Sequence, residues 1–271
     1  MKAMILAAGL GTRLRPLTDT RPKALVEIKG RTLLEITLTR LRTFGVTEAI
    51  INVHHFAEMV VHYLKTKNNF NMRLEISRED DQLLDTGGGL KKAAWFFLPS
   101  AAQGGVRTAM RPSLPADSES EPFLLHNVDV ISTIDLNAML QFHKENQALA
   151  TLAVQSRESG RQLLFNDQLQ LSGRQGGTAN PGCAVQTVQS TAPSHSLRAL
   201  AFSGIHIISP RLLPLLTETG PFSIIDSYLR LSSQGQKILA FRHDNSYWRD
   251  LGKLADLAQA ALDLQRDVLL S

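Results

Sequence analysis

Apolar residues recur along the chain with two alternating periods, which predicts strands separated by helices. Lys2–Ala7 is a near-continuous apolar run, typical of a strand covered on both faces of a parallel sheet. In Thr32–Phe44 the leucines recur at helical spacing, with Thr32 placed to cap the start and Gly45 the end. The same reasoning predicts strands at Ala49–Val53, Arg73–Ile76, Phe123–His126 and Leu149–Val154, and helices at Ala57–Lys67, Leu90–Leu98 and Leu136–Asn146.

This order of elements predicts an α/β fold with a doubly wound, mostly parallel mixed sheet of the Rossmann-like kind. Two polar stretches interrupt the pattern: Pro99–Pro122 predicts a surface insertion and Ser172–Ser196 a loop. The last third predicts strands near Ala199–Ile208 and Lys237–Phe241 and an amphipathic helix at Leu254–Leu270. A length of 271 residues suits a single domain, 1–271, in which 1–155 form one core and 156–271 complete it.

Composition narrows the class of protein. With 43% apolar residues the chain can bury a full core. A single cysteine, Cys183, excludes a disulfide framework and a cysteine-based metal site, and fits a reducing cytoplasm. No run approaches the ~18 apolar residues of a membrane span. The formal charge of +4 favours an anionic small molecule over nucleic acid as the partner.

The loop after the first strand carries the densest chemistry in the sequence. Gly9 and Gly11 stand where α/β sheets bind ligands, and Leu14 replaces the third glycine of a dinucleotide fingerprint. The cations of the loop follow within a few residues: Arg13, Arg15, Arg21 and Lys23. Glycine lets backbone N–H groups approach phosphate oxygens, and arginine and lysine neutralise them. The residues alone leave two interpretations open, a phosphate site and a basic surface loop with turn glycines.

The whole stretch AAGLGTRLRPLTDTRPK resembles the signature of the sugar-1-phosphate nucleotidyltransferases, G-x-G-T-R-x-x-P-x-T followed by P-K. The residues that match the pattern are Gly9, Gly11, Thr12, Arg13, Pro16, Thr18, Pro22 and Lys23. The resemblance implies a GT-A-like nucleotidyltransferase fold and a nucleoside triphosphate as the anion. It implies catalytic roles for Arg13 and Lys23. The implied nucleotide-binding residues of this stretch are Ala7, Ala8, Gly9, Gly11 and Thr12.

Three later segments extend the resemblance. LLDTGGG, at 83–89, is similar to the family's base-pocket segment and implies nucleotide contacts from Thr86, Gly87 and Gly88. LLHNVDV and YWRDLGK are similar to the two metal-binding segments and imply a Mg²⁺ site on Asp129 and Asp250. The residues implied to contact the sugar are Asn127, Gly204 of the F-S-G-I segment, and Asp226. Taken alone, Asp129 and Asp250 also suit a turn and a helix cap.

The function that the resemblance implies is transfer of a nucleoside monophosphate from an NTP to a sugar 1-phosphate, with release of pyrophosphate. UTP and an N-acetylmuramate-type or hexose 1-phosphate are favoured, because the three glycines of LLDTGGG match that subset. Guanylyl transfer to mannose or heptose 1-phosphate and a catalytically inactive regulatory member are the alternatives. The family's E-K-P lysine is missing, and spacing does not choose among Arg157, Arg161 and Arg174 as its replacement. The oligomeric state is left open.

Overall fold

The structure is a computed structural model that describes residues 1–98, 121–176 and 197–264. The strands are β1 Lys2–Leu6, β2 Glu27–Ile28, β3 Arg31–Thr32, β4 Glu48–Val53, β5 Arg73–Arg78, β6 Phe123–Asn127, β7 Val130–Ser132, β8 Ala150–Gln155, β9 Gln162–Phe165, β10 Leu171–Gln175, β11 Arg198–Ile208, β12 Ile238–Arg242 and β13 Trp248–Asp250. The helices are α1 Leu33–Thr43, α2 Ala57–Thr66, α3 Asp85–Lys92, α4 Leu136–Glu145, α5 Ile224–Ser233 and α6 Leu254–Asp263.

One large mixed sheet organises these elements. Its order runs β10-β9-β11-β6-β1-β4-β5, and β8 pairs with both β11 and β12. The four strands β6, β1, β4 and β5 are parallel, so their carboxyl ends meet at one edge. β11 runs antiparallel to β6, β8 and β9, which turns the parallel half into a mixed sheet.

Helices cover both faces of this sheet, as a doubly wound fold requires. Ala3 and Ile5 of β1 pack into one core cluster with residues of α1, α2, α4 and α6. Met4, between them, packs into a second cluster with residues of α3 and α5. Successive side chains of a strand point to opposite faces, so β1 contributes to both clusters and is apolar from Ala3 to Leu6. The predicted fold class is confirmed.

Most predicted elements lie where the pattern placed them. The Thr32 hydroxyl accepts from the N–H of Glu35 at 3.0 Å, so Thr32 caps α1 as predicted. Gly45 follows this helix with φ +76°, a conformation that glycine adopts without strain. The predicted helix Leu90–Leu98 is wrong in its bounds, because α3 begins at Asp85 and ends at Lys92.

The predicted loop at Ser172–Ser196 is wrong at its start. Residues Ser172–Gln175 belong to β10, which pairs with β9, so that part of the prediction is wrong. Residues 177–196 lie outside the described residues, as do 99–120 of the predicted insertion and 265–271 of the predicted last helix. Within the described ranges, no helix has both the length and the apolar character needed to span a membrane.

Candidate active site

The glycine loop leaves β1 at the edge where the parallel strands end. Gly11 has φ +64°, and a Cβ there would lie 2.9 Å from Thr18 Cγ2 and 3.1 Å from Lys23 Cβ. Its carbonyl accepts from the N–H of Leu14 at 2.8 Å and from the Thr18 hydroxyl at 2.9 Å. Leu14 is fully buried, so it anchors the loop in the core while the neighbouring Thr12 and Arg13 stay exposed. The loop is therefore a fixed turn that needs glycine at position 11.

Lys23 is a buried cation whose partner is a mostly buried carboxylate. It opens a short turn after Pro22, is only 9% exposed, and forms an ion pair with Asp129. A charge of this kind remains buried only when it is paired. The predicted catalytic lysine and the predicted metal ligand thus lie in direct contact.

A two-stranded ladder brings the two predicted metal ligands together. Asp129 comes two residues after β6 and directly before β7, and β7 pairs with β13 so that Val130 lies opposite Asp250. The N–H of Leu251 donates to the Asp129 carbonyl at 2.8 Å. Burial, and secondarily the charge of Asp129, raises the pKa of Asp250, while Lys23 and Arg13 act in the opposite direction.

Arg13 reaches the same cluster from the glycine loop. A Cβ added at Gly252 would lie 2.7 Å from both Arg13 Nη2 and Asp250 Oδ1, so the two side chains meet at this glycine. Asp250 Oδ1 also accepts from the N–H of Gly252 at 2.6 Å. Two cations and two carboxylates, all from separate parts of the sequence, therefore surround one point.

A cavity of about 190 Å³ lies beside this cluster. It is lined by residues from the ends of β1, β4, β5 and β6 and the start of α3: Leu6, Ala7, Ala8, Gly9, Lys23, Asn52, Glu79, Leu83, Asp85, Thr86, Asn127, Val128 and Asp129. Predicted nucleotide-binding residues (Ala7, Ala8, Gly9 and Thr86) therefore share one pocket with Lys23 and Asp129.

Gly87 and Gly88 do not line this cavity. Both N–H groups donate to the Phe222 carbonyl, at 2.9 and 3.4 Å. A Cβ at Gly87 would lie 2.3 Å from the Phe222 ring, and one at Gly88 would lie 2.8 Å from the Gly220 carbonyl oxygen. These glycines let the segment before α5 pack against α3, and their contact with a nucleotide stays a prediction.

The predicted sugar residues separate into two places. Gly204 has φ +75°, and a Cβ there would lie 2.8 Å from Asn127 Nδ2, so these two residues are neighbours. Asp226 lies in the first turn of α5, where its Oδ1 accepts from Arg174 Nη1 at 2.6 Å. Among the described residues no hydrogen bond joins Asp226 to Asn127 or Gly204.

Two lining residues were missed by sequence reasoning. Asn52 Oδ1 accepts from the N–H of Ala7 at 2.7 Å, and Asn52 Nδ2 donates to Glu79 Oε1 at 2.7 Å. Glu79 Oε2 accepts from the N–H of Leu84 at 2.8 Å. Both side chains are buried and satisfied, and together they join the ends of β1, β4 and β5 to the segment before α3. The available signal was Asn52, a polar residue inside an otherwise apolar strand.

The site offers two carboxylate ligands to a divalent cation. Within the described part of the chain no group of three or more His, Cys, Asp or Glu side chains is arranged to hold a metal. Asp129 and Asp250 provide two carboxylates. Burial and the negative charge of Asp129 both raise the pKa of Asp250, and a cation between the two carboxylates would offset their repulsion. Mg²⁺ is commonly bound by one or two carboxylates together with substrate phosphates and water.

His126 lies beneath the site and is not placed to act as an acid or base on a substrate. It is buried on β6, and burial lowers its pKa to about 4. Its imidazole is therefore neutral near pH 7 and has no access to a substrate.

Comparisons with known proteins point to one family. The sequence model of the nucleotidyl transferase family matches residues 2–162. N-acetylmuramate alpha-1-phosphate uridylyltransferase of Caulobacter vibrioides is 31% identical over 236 residues, which cover 86% of this chain and 85% of that protein. Mannose-1-phosphate guanylyltransferase 1 of Arabidopsis thaliana is 33% identical over 157 residues, which cover 57% of this chain but only 38% of that protein. A UDP-glucose pyrophosphorylase solved with UDP-glucose has the same fold, with a TM-score of 0.72, 18% identity and coverage of 98% of each chain.

Proposed function

The chain belongs to the nucleotidyl transferase family, and from this premise we propose that it transfers the uridylyl group of UTP to a sugar 1-phosphate. An N-acetylmuramate-type or hexose 1-phosphate is the acceptor, and pyrophosphate is the second product. The observation that carries the proposal is the meeting of Arg13, Lys23, Asp129 and Asp250 beside a cavity at the carboxyl edge of the parallel strands.

The reaction needs positioning and charge neutralisation rather than a covalent intermediate. An oxygen of the acceptor phosphate attacks the α-phosphorus of UTP, and the bond to the pyrophosphate oxygen breaks with its electron pair leaving on pyrophosphate. Arg13 and Lys23 stabilise the negative charge that builds on the phosphoryl oxygens. The glycine loop presents backbone N–H groups to the triphosphate. No proton has to be removed from an ionised phosphate, so no general base is required.

Asp129 and Asp250 would hold the Mg²⁺ that the family implies. The ion, when bound, would neutralise phosphate charge and polarise the phosphoryl oxygens. The chain's own contribution is to keep both carboxylates at one point through the β7–β13 ladder. Arg13 meets Asp250 there, so the guanidinium of Arg13 and the acidic pair are oriented together.

The choice of UTP rests on the relatives and on the segment LLDTGGG. The uridylyltransferase of Caulobacter vibrioides matches this chain along 85% of its own length. One observation favours the guanylyl alternative, since a mannose-1-phosphate guanylyltransferase is slightly more identical over the shorter region that it shares. We assign the reaction to the cytoplasm, where UTP and a reduced Cys183 are expected.

A screen of substrates tests this function. The four nucleoside triphosphates are combined with a panel of sugar 1-phosphates that includes those of N-acetylmuramate, glucose and mannose, and pyrophosphate release is recorded. We expect release with UTP and an N-acetylmuramate-type or hexose 1-phosphate. A clear preference for ATP or CTP would contradict the assignment, and a preference for GTP would establish the guanylyl alternative.

A further inference from the structure

We propose that Arg157 binds the phosphate of the sugar 1-phosphate acceptor, an inference that rests on the proposed function. The acceptor phosphate must approach a triphosphate that is itself strongly anionic, so the site needs a cation on the acceptor side as well. Arg13 and Lys23 already face Asp250 and Asp129 on the nucleotide side. A further cation should lie near the same carboxylates and keep hydrogen-bond donors available.

Arg157 has this position. It comes two residues after the end of β8, and its guanidinium lies against the ring of Trp248, two residues before Asp250 in β13. Burial lowers the pKa of Arg157, and the charge of Asp250 opposes that shift. Its Nη2 donates to the Phe202 carbonyl at 2.7 Å, two residues before Gly204 in β11. The side chain therefore lies between Asp250 and the strand that carries the predicted sugar contact.

The guanidinium of Arg157 lies over an aromatic ring. Its central carbon lies 3.7 Å from the centre of the Trp248 ring, and the indole N–H of Trp248 donates to the Ser203 carbonyl at 2.8 Å. This cation–π contact positions the guanidinium without using any of its N–H donors. Such an orientation favours forked recognition of phosphate oxygens.

Most of the N–H groups of Arg157 have no hydrogen-bond partner among the described residues. The Nε atom is buried without a hydrogen-bond partner, and the guanidinium forms no ion pair with any residue in the described ranges. A buried donor without a partner is costly, and such groups are rare in native structures. An anion that accepts from this fork would remove that cost.

The other two arginines that the sequence left open are placed differently. Arg174 is already paired, since its Nη1 donates to Asp226 at 2.6 Å. Arg161 is exposed, and its only hydrogen bonds to described residues involve its backbone and Ser159. Arg157 is therefore the arginine of the three that combines a nearby carboxylate of the site with free donors.

The test separates acceptor binding from nucleotide binding and from folding. Arg157→Gln removes the charge, Arg157→Lys keeps it without the fork, and Arg198→Gln is the matched control at the exposed start of β11. KM for the sugar 1-phosphate is measured by pyrophosphate release, the Kd for UTP by calorimetry, and Tm by thermal unfolding. Inorganic phosphate is included as an inhibitor that competes with the acceptor.

We expect Arg157→Gln to raise KM for the sugar 1-phosphate by about 10- to 100-fold, the loss of a hydrogen bond to a charged group. The Kd for UTP should stay within about twofold, inhibition by phosphate should weaken in parallel with KM, and the control should match the wild type. Arg157→Lys should fall between the two, and decides the question alone if Arg157→Gln does not fold.

Three results would overturn the assignment of Arg157. One is an unchanged KM for the sugar 1-phosphate in Arg157→Gln. Another is a lower Tm together with equal losses of affinity for UTP and the sugar 1-phosphate, which would indicate a structural role. The loss appearing in Arg161→Gln or Arg174→Gln instead would assign the phosphate to another arginine. Failure of the wild type to use any sugar 1-phosphate would overturn the proposed function itself, and this inference with it.

Discussion

Lys23 and Asp129 neutralise each other inside the site. Both side chains are mostly buried, and a buried ion pair often contributes little stability because each charge loses its hydration. Removing one partner is more damaging than removing both, because the other charge is then buried without compensation. The pair therefore keeps two charged groups in place for a substrate, and variants of it need a stability measurement beside every activity measurement.

At the scale of single residues, Asp129→Asn and Asp250→Asn test the metal site. Each replacement removes one anionic ligand, so turnover should fall by on the order of 10²-fold or more and the Mg²⁺ concentration for half-maximal rate should rise. Pyrophosphate release across a Mg²⁺ titration measures both effects. Glu145→Gln, at the exposed end of α4, is the control for loss of a carboxylate. Full wild-type activity in excess chelator would contradict the metal assignment.

Some residues of the site could be located from sequence motifs, and others only from contacts in the folded structure. Arg13, Lys23, Asp129 and Asp250 lie in long ordered motifs, so a resemblance was enough to bring them together. Asn52 and the other lining residue Glu79 carry no such motif, because their importance comes from contacts between strands that are distant in sequence. Such contacts exist only once the order of the strands in the sheet is known.

At the scale of elements, β1, β4, α1 and α2 were predictable because their apolar spacing is local, as is the Thr32 cap of α1. α3 was not, since three consecutive glycines disfavour a helix and its start is held by the Phe222 carbonyl. β9 and β10 are short and partly exposed, and pairing rather than composition makes them strands. Long-range contacts thus decided the elements that the local pattern did not.

The Asn52–Glu79 contact joins elements, and Glu79→Gln tests that role. An amide NH₂ in place of one oxygen would face either Asn52 Nδ2 or the N–H of Leu84, so a donor would meet a donor. We expect a loss of about 1–3 kcal/mol in the free energy of unfolding and weaker UTP binding, because the segment before α3 lines the cavity. Urea unfolding and calorimetry measure the two effects. The control Glu75→Gln on β5 should leave the free energy of unfolding and the affinity for UTP unchanged. If Glu79→Gln also matched the wild type in both quantities, the role of Glu79 in joining these elements would be refuted.

At the scale of the whole molecule, buried histidines should make stability depend on pH. Burial lowers the pKa of His143 to about 4 and that of His206 to about 3, whereas an unfolded histidine titrates near about 6.5. Between these values the unfolded chain binds protons that the folded chain does not. The free energy of unfolding should therefore be fully retained above about pH 6.5 and fall toward pH 4, by about 1.4 kcal/mol per pH unit for each such histidine.

His143→Gln isolates one of these contributions. Glutamine retains a hydrogen-bonding group for Thr151, whose hydroxyl lies 2.9 Å from His143 Nδ1, and it does not titrate. Urea unfolding at several pH values between 4 and 7 should give a shallower slope for this variant. The exposed His55→Gln should keep the wild-type slope. An identical pH dependence for His143→Gln would show that His143 does not contribute.

The central claim, that the chain is an enzyme whose charged cluster acts on the transferring phosphoryl group, is tested most directly through Lys23. Charge builds on the phosphoryl oxygens as pyrophosphate leaves, so the ammonium should interact more strongly with the transition state than with bound UTP. The measurement compares kcat for pyrophosphate release and the Kd for UTP in the wild type, Lys23→Ala and the exposed control Lys65→Ala.

The account predicts that Lys23→Ala lowers kcat by on the order of 10²-fold or more while the Kd for UTP changes much less, since Arg13 and the loop amides still bind the triphosphate. Lys23→Gln should not restore the rate, and Lys23→Arg should restore it only in part, because the guanidinium fork has a different shape. A wild-type protein that binds UTP without turning over any sugar 1-phosphate, and a Lys23→Ala variant that changes affinity alone, would contradict the account and favour a regulatory protein.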